Sequence, residues 1–257
     1  MAMILEQAPV RTVTEVGSNV FQLTFSSLAI AREALPGQFV NVKTVDGSGP
    51  LLRRPFSISS VRDDEVSILF NVIGSGTKAL SLMRKGEGLD VLGPLGKGTF
   101  PLDDDAYETA LIVAGGLGVA PMPFLRASMP RGKKQFVFLG ARSASQVVTV
   151  GLEDAQVATD DGSKGFHGTV VDLLRNTLVG NDLGHPRIFA CGPLPMLRSL
   201  RELSEAKNIE CYVALECEMA CGIGLCQGCP VESSGPGKKY RLVCNEGPVF
   251  NALTVVF

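Results

Sequence analysis

Four cysteines near the C-terminus have a spacing that can hold iron. They form a Cys-x4-Cys-x2-Cys run with one more cysteine further on, the spacing of plant-type [2Fe–2S] ligation: Cys221, Cys226, Cys229 and Cys244. Three thiolates on one tight loop can face a common centre, and the fourth completes the coordination of the second iron. Glycines between them let backbone N–H groups approach the sulfurs, and such hydrogen bonds tune the reduction potential. The loop therefore predicts an electron-transfer cluster.

The same thiolates could instead bind zinc. Structural zinc loops usually offer two short cysteine pairs, and only Cys226 and Cys229 form such a pair here. The spacing therefore favours iron–sulfur over zinc. Cys217 lies too close to Cys221 for the usual spacing and is interpreted as a spare thiol. Cys211, in an apolar strand, is expected in the core rather than at the metal.

Two segments of the N-terminal half could bind a flavin. Residues 53–60 read Arg-Arg-Pro-Phe-Ser-Ile-Ser-Ser; an Arg can pair with a pyrophosphate, and a nearby Ser can hydrogen-bond an isoalloxazine edge. Residues 74–77 form a short Gly-rich loop that is expected to open a helix at residues 78–83 and to cradle a phosphate. Each pattern is weak on its own, because such sequences are also common on surfaces and in turns.

A third group of residues could bind a dinucleotide. Residues 111–121 read as a strand, a Gly-rich turn and a helix start, in which three glycines let a pyrophosphate approach backbone amides: Gly115, Gly116 and Gly118. The alternative is an ordinary tight turn between strand and helix.

A further tripeptide, Cys191-Gly192-Pro193, follows another apolar strand at the expected carboxyl edge of the sheet. Ligands bind at that edge in open α/β folds, so its thiol could line a nicotinamide pocket. A buried core cysteine is the alternative. Arg142-Ser143 could meet the adenine ribose. No pattern in the sequence chooses between NADH and NADPH.

The segments that carry these motifs predict three units. Residues 1–102 contain short strands punctuated by Gly and Pro, which predicts an antiparallel β-barrel or sandwich. An acidic, turn-like stretch at 101–108 marks the boundary. In residues 103–215 apolar strands alternate with helices, which predicts a parallel sheet with crossover helices. Residues 216–257 form a Cys- and Gly-rich appendage. The predicted strands are 20–25, 39–45, 65–72, 111–114, 135–139, 188–190 and 211–215, and the later helices are 122–128, 170–178 and 194–206.

Composition narrows the class of protein. The chain has 257 residues, of which 19% are charged, and a formal net charge of −2, so a basic, nucleic-acid-binding surface is not expected. The first ten residues lack the pattern of a signal peptide. The most apolar stretch, 110–125, is broken by Gly and Pro and predicts a buried strand and turn rather than a membrane helix. The protein is expected to be soluble and cytoplasmic. His167 and His185 lie in polar, turn-like stretches and are expected at the surface, with no triad evident.

Taken together and in this order, the motifs resemble those of the ferredoxin–NADP reductase superfamily. The C-terminal segments 221–229 and 241–250 narrow the resemblance to the family of electron-transfer subunits of dihydroorotate dehydrogenase B, and the likeness spans nearly the whole chain. Cys217 departs from the pattern, since a charged or polar residue is expected there. The resemblance implies an N-terminal FAD-binding β-barrel, a Rossmann-like nucleotide-binding domain and a C-terminal [2Fe–2S] subdomain.

The resemblance also implies cofactors, site residues and a partner. The cofactors are FAD, a [2Fe–2S] cluster and NAD(H), so that electrons pass between NAD(H), the flavin and the cluster. The partner is an FMN-containing dihydroorotate dehydrogenase catalytic subunit, in a heterotetramer of two plus two that acts in pyrimidine biosynthesis. No side chain is expected to act as a catalytic acid or base. The residues implied to hold FAD are Arg54, Pro55, Phe56, Ser57, Leu69, Phe70, Asn71, Gly76 and Thr77.

Two other functions remain open at this level. The chain could be the flavin subunit of a hydrogenase or of an NADH-dependent ferredoxin–NADP oxidoreductase complex, since these have similar motifs and other partners. A function of another class is a zinc-stabilised nucleotide-binding regulator. It requires that the cysteines between positions 221 and 244 bind zinc and that residues 54–57 are surface residues without a ligand. Metal analysis and the identity of a co-purifying subunit discriminate among the three.

Overall fold

The N-terminal part of the chain is a closed antiparallel barrel. The structure is a computed structural model that describes residues 3–44, 51–103, 105–235 and 237–257. Six strands pair in the order β1-β2-β5-β4-β3-β6, and their inward side chains, such as Phe25 and Ile68, are fully buried. Closure removes the unpaired edges that an open sheet would expose. The strands are β1 (Ile4–Gly17), β2 (Val20–Ser26), β3 (Phe39–Lys43), β4 (Arg54–Arg62), β5 (Glu65–Asn71) and β6 (Gly88–Leu95), with helices α1 (Leu28–Glu33) and α2 (Ser75–Ser81) between them.

The second part is a mixed sheet with helices. Its central strand, β7 (Thr109–Gly115), is buried along its whole length, as expected for a strand covered on both faces. It pairs in parallel with β8 (Lys134–Ala141) on one side and with β11 (Pro186–Cys191) on the other. The remaining parallel strands are β9 (Gln156–Thr159), β10 (Phe166–His167) and β12 (Glu210–Ala214), and the helices are α3 (Met122–Ala127), α4 (Val170–Gly180) and α5 (Leu194–Lys207).

The C-terminal segment contributes to two sheets. Three short strands, β13 (Pro230–Ser233), β14 (Tyr240–Leu242) and β16 (Val255–Val256), form a small antiparallel sheet. The fourth, β15 (Val249–Asn251), pairs antiparallel with β12, so the large sheet has the order β10-β9-β8-β7-β11-β12-β15. The predicted fold is confirmed, but this segment is more than an appendage, since one of its strands completes the large sheet.

Several element bounds differ from those predicted. Helix α2 begins at Ser75 rather than at residue 78, because the Thr77 hydroxyl accepts hydrogen bonds from the backbone N–H groups of Ile73 and Gly74 and closes the first turn early. The residues expected to be a loop are therefore the first turn of the helix. The short strands β9 and β10 were not predicted. Residue 45, at the end of one predicted strand, lies outside the described residues, as does the Gly- and Pro-containing stretch 47–50 that follows it.

None of the helices in the described part of the chain is long and apolar enough to cross a bilayer.

Candidate functional site

A cavity of about 550 Å³ lies between the barrel and the large sheet. Its barrel wall comes from β4, from the end of β5 and from the start of α2. On the other wall are Leu117 and Ala120, which follow β7, and Glu216 and Cys217, which follow β12. All nine residues predicted for FAD line this one cavity: Arg54, Pro55, Phe56, Ser57, Leu69, Phe70, Asn71, Gly76 and Thr77.

The two adjacent arginines of β4 have different surroundings. Arg53 pairs with Asp90, with 2.7 Å between Nη2 and Oδ1, and its Nη1 donates to backbone carbonyls. Arg54 lines the cavity, and only its Nη1 is engaged, with the carbonyls of Leu52 and Arg53. Among the described residues its Nε and Nη2 have no acceptor. Arg54 can therefore meet an anionic ligand in the cavity, whereas Arg53 is committed to the barrel.

The polar groups of the barrel wall fit an extended ligand that needs hydrogen bonds. The Oδ1 of Asn71 and the Oγ1 of Thr44 are buried without a hydrogen-bond partner among the described residues. Buried polar atoms are normally paired, so an unpaired acceptor on a cavity wall indicates a ligand group. A Cβ on Gly76, which lines the cavity, would lie 2.7 Å from the Thr44 Oγ1 behind it, so glycine allows α2 to pack closely at this point. Apolar ring neighbours such as Phe56 and Phe70 suit a flavin beside these polar groups.

A second cavity, of about 400 Å³, lies at the carboxyl edge of the large sheet. Gly115, Gly116 and Pro193 line it, together with Arg142 and Asp160. Arg142 directly follows β8 and Asp160 directly follows β9. Because the ends of these two parallel strands are paired, the two residues lie side by side. Neither side chain has a hydrogen bond or ion pair with a described residue. This edge is where nucleotides bind in open α/β sheets.

Gly118, Cys191 and Gly192, the other three residues predicted for the dinucleotide, are not among those that line this cavity. A Cβ on Gly118 would lie 2.3 Å from the carbonyl oxygen of Cys191, and a Cβ on Gly192 would lie 2.5 Å from the Cε of Met196. These glycines therefore allow close packing beneath the site. The 3-10 turn Gly116–Val119 separates the two cavities, since Gly116 lines one and Leu117 the other.

Cys191 is buried at the back of the first cavity. Its Sγ lies 3.8 Å from the Oε1 of Glu216, which lines that cavity. Burial raises the pKa of the Cys191 thiol well above its usual value, and the adjacent carboxyl adds to the effect. Burial also raises the pKa of Glu216, against the opposing hydrogen bond from Cys191. Glu216 lines the cavity and is exposed as a whole residue.

The four predicted cluster cysteines lie on and beside one loop. Cys226 is exposed and Cys221 is partly buried, whereas Cys229 and Cys244 are buried. Backbone N–H groups donate to their sulfurs: Ile223 and Cys226 to Cys221 at 3.5 and 3.4 Å, Gly228 to Cys226 at 3.4 Å, and Cys244 to Cys229 at 3.5 Å. Thiolates accept such bonds, and backbone donors around the sulfurs are typical of iron–sulfur sites.

The loop favours the thiolate form of at least one of these cysteines. Burial raises the pKa of Cys221, but hydrogen bonds from the amides of Cys226 and Ile223 outweigh it and bring the pKa down to about 6. Metal ligands must be deprotonated, so this environment fits a cluster ligand. In the described part of the chain, no three His, Cys, Asp or Glu side chains are already arranged around a single ion position.

The cluster loop is attached to the barrel. The amide of Asn41, on β3, donates to the carbonyl of Cys221 at 3.1 Å. Gly222 has φ +69°, and a Cβ there would lie 2.1 Å from the Asn41 nitrogen, so only glycine suits this close approach. Further on, Gly98 donates to the carbonyl of Gly247 at 2.8 Å. The cysteines are therefore held in a defined position relative to the first cavity.

Comparison with known proteins identifies the family. A relative from Bacillus cereus (strain B4264), the electron transfer subunit of dihydroorotate dehydrogenase B (NAD(+)), is 38% identical over 246 residues, covering 92% of both chains. A relative of the same name from Bacillus anthracis (strain CDC 684 / NRRL 3495) is 37% identical over the same length. The chain belongs to the family of dihydroorotate dehydrogenase B electron transfer subunits. The model of the iron-sulfur cluster binding domain of dihydroorotate dehydrogenase B matches residues 216–256.

Two solved structures share the fold of this chain. A chain of the NADH-dependent reduced ferredoxin-NADP oxidoreductase has a TM-score of 0.84 at 25% identity, covering 97% of this chain and 90% of that one. Phthalate dioxygenase reductase, at 14% identity and a TM-score of 0.60, shares the fold and covers 90% of this chain and 87% of its own.

Several residues of this family member's site were not predicted from its sequence. Asn41 and Glu216 are single polar residues in or after strands, with no motif around them. Leu117 lies inside the predicted glycine turn but was not assigned to the first cavity. Asp160 could have been found, because an acidic residue directly after a parallel strand is a known partner of ribose hydroxyls.

Proposed function

We propose that this chain carries electrons between NAD(H) and a dihydroorotate dehydrogenase catalytic subunit, using FAD and a [2Fe–2S] cluster. The proposal is carried by one observation: the predicted flavin residues and the segment leading to the cluster cysteines line the same cavity. The glycine turn on the opposite wall separates that cavity from the one expected for the nucleotide. All parts of an electron path therefore adjoin one another.

The chain's own residues hold and orient the cofactors. When bound, FAD supplies hydride exchange with NAD(H), and the cluster supplies single-electron exchange. Arg54 pairs with the pyrophosphate, the Oδ1 of Asn71 offers a hydrogen-bond acceptor, and Phe56 and Phe70 form an apolar wall, while Thr77 shapes the start of α2 beside them. Cys221, Cys226, Cys229 and Cys244 bind the two irons, and the backbone amides around their sulfurs stabilise the negative charge.

The dinucleotide occupies the second cavity in this proposal. Gly115 and Gly116 let the pyrophosphate approach the backbone, Pro193 lines the same cavity, and Gly118, Cys191 and Gly192 pack beneath it. The carboxylate of Asp160 accepts hydrogen bonds from the adenine ribose and repels a 2′-phosphate, which favours NAD(H) over NADP(H). Arg142 lies beside the same position.

The proposal divides the chain and its assembly as follows. Residues 1–102 bind FAD, 103–215 bind NAD(H) and 216–257 bind the cluster. The complex with the FMN-containing catalytic subunit contains two copies of each chain. A cytoplasmic location is part of the proposal, because thiolate ligands need a reducing compartment. In this complex dihydroorotate is oxidised on the partner and NAD⁺ is reduced here.

The test uses the complex of this chain with its catalytic subunit. Cys226→Ser should retain FAD and NADH-dependent dye reduction but lose electron transfer from dihydroorotate to NAD⁺, because it removes a cluster ligand and leaves every residue that lines the flavin cavity in place. Cys211→Ser, in the buried strand β12, is the matched control and should keep both activities. Full transfer by Cys226→Ser would contradict the proposed path. Co-purification with a different iron–sulfur subunit would favour a ferredoxin–NADP oxidoreductase complex instead.

A further inference from the structure

Strand β3 connects the flavin cavity with the cluster loop. Two of its side chains, Val40 and Val42, are fully buried in the barrel core. Alternate residues of a strand face opposite sides, so Phe39 and Asn41 lie together on the outer face. Phe39 lines the first cavity, and the side-chain amide of Asn41 donates to the carbonyl of Cys221 at 3.1 Å. One face of one strand therefore reaches both proposed cofactor sites.

We propose that Asn41 is a positioning residue that holds the cluster loop in a fixed place beside the flavin cavity and so controls electron transfer between flavin and cluster. This inference rests on the proposed function, since it needs FAD in the cavity and iron at Cys221. It gives a role in the electron path to a residue that belongs to none of the sequence motifs.

The burial of Asn41 supports a role beyond the barrel. The residue is 1% exposed, and its Oδ1 has no hydrogen-bond partner among the described residues. A buried acceptor without a partner lowers stability, so barrel packing alone would favour an apolar residue here, like the valines on either side. The Nδ2 of the same amide is the part in use, and it is directed at the cluster loop.

The loop is shaped to receive this side chain at its first ligand. Gly222 has φ +69°, and a Cβ there would lie 2.1 Å from the Nδ2 of Asn41. The sulfur of Cys221 accepts hydrogen bonds from the N–H groups of Ile223 and Cys226 at 3.5 and 3.4 Å. The loop thus folds around the residue that Asn41 holds, so a shift of Cys221 would move the neighbouring ligand Cys226 as well.

On the barrel side, the contact continues to the wall of the flavin cavity. Asn41 pairs with Pro55 of β4, which lines that cavity. The cluster segment has a second attachment, in which the N–H groups of Lys97 and Gly98 donate to the carbonyls of residues 245 and 247 at 3.1 and 2.8 Å. That attachment joins backbone groups and survives side-chain substitution. Removal of the Asn41 amide should therefore loosen the Cys221 end without releasing the whole segment.

The experiment breaks the contact from each side in the full complex. Asn41→Leu keeps the branched shape and removes the donor, and Asn181→Leu is its control, because the Asn181 amide makes the same kind of bond to a backbone carbonyl at the exposed end of α4. Gly222→Ala breaks the contact from the loop without changing the barrel. Its control is Gly132→Ala, which also has a positive φ but meets no atom within 4 Å.

Three quantities are measured on each variant. NADH oxidation in a dye assay reports the hydride step. Rapid freezing after mixing with NADH, followed by electron paramagnetic resonance, reports the rate of cluster reduction in the molecules that contain a cluster. Hydrogen exchange with mass spectrometry reports opening of the loop at the amides of Ile223 and Cys226.

Asn41→Leu and Gly222→Ala should both slow cluster reduction while the hydride step stays at the wild-type rate. Loop exchange should become about 2- to 10-fold faster, as expected for loss of one hydrogen bond, and both controls should equal the wild type. Wild-type cluster reduction in both variants overturns the inference. Equal slowing of the hydride step overturns it too, because Asn41 would then act on the barrel as a whole, and so does loss of the cluster, which would indicate a role in assembly. A wild-type complex without a paramagnetic signal would instead overturn the proposed function itself.

Discussion

The adjacent arginines of β4 allow a matched test of the flavin site. Arg54→Gln removes the guanidinium that lines the first cavity and has free donors on Nε and Nη2 among the described residues. Arg53→Gln makes the same chemical change one residue earlier, where the side chain is engaged with Asp90 instead. The two variants therefore separate loss of a cavity charge from loss of a charge on the barrel.

The size of the expected effect follows from the lost contact. Hydrogen bonds to charged groups contribute about 1.5–3 kcal/mol, and each 1.4 kcal/mol changes a dissociation constant tenfold. If Arg54 pairs with the pyrophosphate, Arg54→Gln should weaken FAD binding about 10- to 150-fold. Arg53→Gln should leave FAD affinity unchanged and lower the free energy of unfolding, because Asp90 and two backbone carbonyls lose their donor.

The assay is removal of FAD followed by titration, with flavin fluorescence as the readout. Chemical unfolding of the two FAD-free variants measures stability separately. Wild-type affinity in Arg54→Gln would refute the assignment of the pyrophosphate to this arginine. Equal weakening in both variants would show that the barrel as a whole, rather than the cavity charge, controls binding.

Three further changes test other parts of the site. Asp160→Ser should raise the ratio of kcat/KM for NADPH over NADH about tenfold or more, because it removes the carboxylate that repels a 2′-phosphate and leaves Arg142 beside that position to pair with it; an unchanged ratio in dye-reduction assays contradicts this role. Gly118→Ala should sharply reduce Tm, since its Cβ would lie 2.3 Å from the carbonyl oxygen of Cys191. Gly180→Ala is the control: its Cβ meets no atom within 4 Å, so Tm should stay the same or rise slightly. Glu216→Gln should have a higher free energy of unfolding than the wild type at about pH 8, and the difference should shrink toward about pH 5. The reason is that desolvation raises the pKa of Glu216 in the folded protein, so ionising this carboxyl at higher pH costs folding free energy that glutamine does not lose. A difference in urea unfolding that does not change with pH would contradict this.

The parts of the fold that the sequence predicts are those with a local cause. Strand β7 is recognisable because a buried parallel strand must be apolar on both faces, and its residues are. The cluster loop is recognisable because three ligands within nine residues must share one tight turn. In both cases the chemistry and the structure are encoded within a short window of the chain.

The rest depends on contacts between distant segments. Asn41 reaches Cys221 across 180 residues, and nothing near either residue indicates the pairing. Strands β9 and β10 have four and two residues, too few to show a period, and they exist because the neighbouring sheet supplies their partners. The start of α2 depends on one hydroxyl group, that of Thr77, and helix propensities do not include such a side-chain hydrogen bond.

The position of the cluster segment has a consequence for electron transfer. Strand β15 is paired with β12 in the large sheet, and Gly98 at the end of the barrel approaches the same segment so closely that a Cβ there would lie 2.4 Å from the carbonyl of Val249. The segment is thus clamped from both sides rather than tethered by a linker. Tunnelling rates depend steeply on distance, and a clamped segment fixes the separation between the first cavity and Cys229 while leaving the exposed Cys226 open to a partner. A cluster bound by this segment would therefore keep a fixed position relative to the flavin cavity.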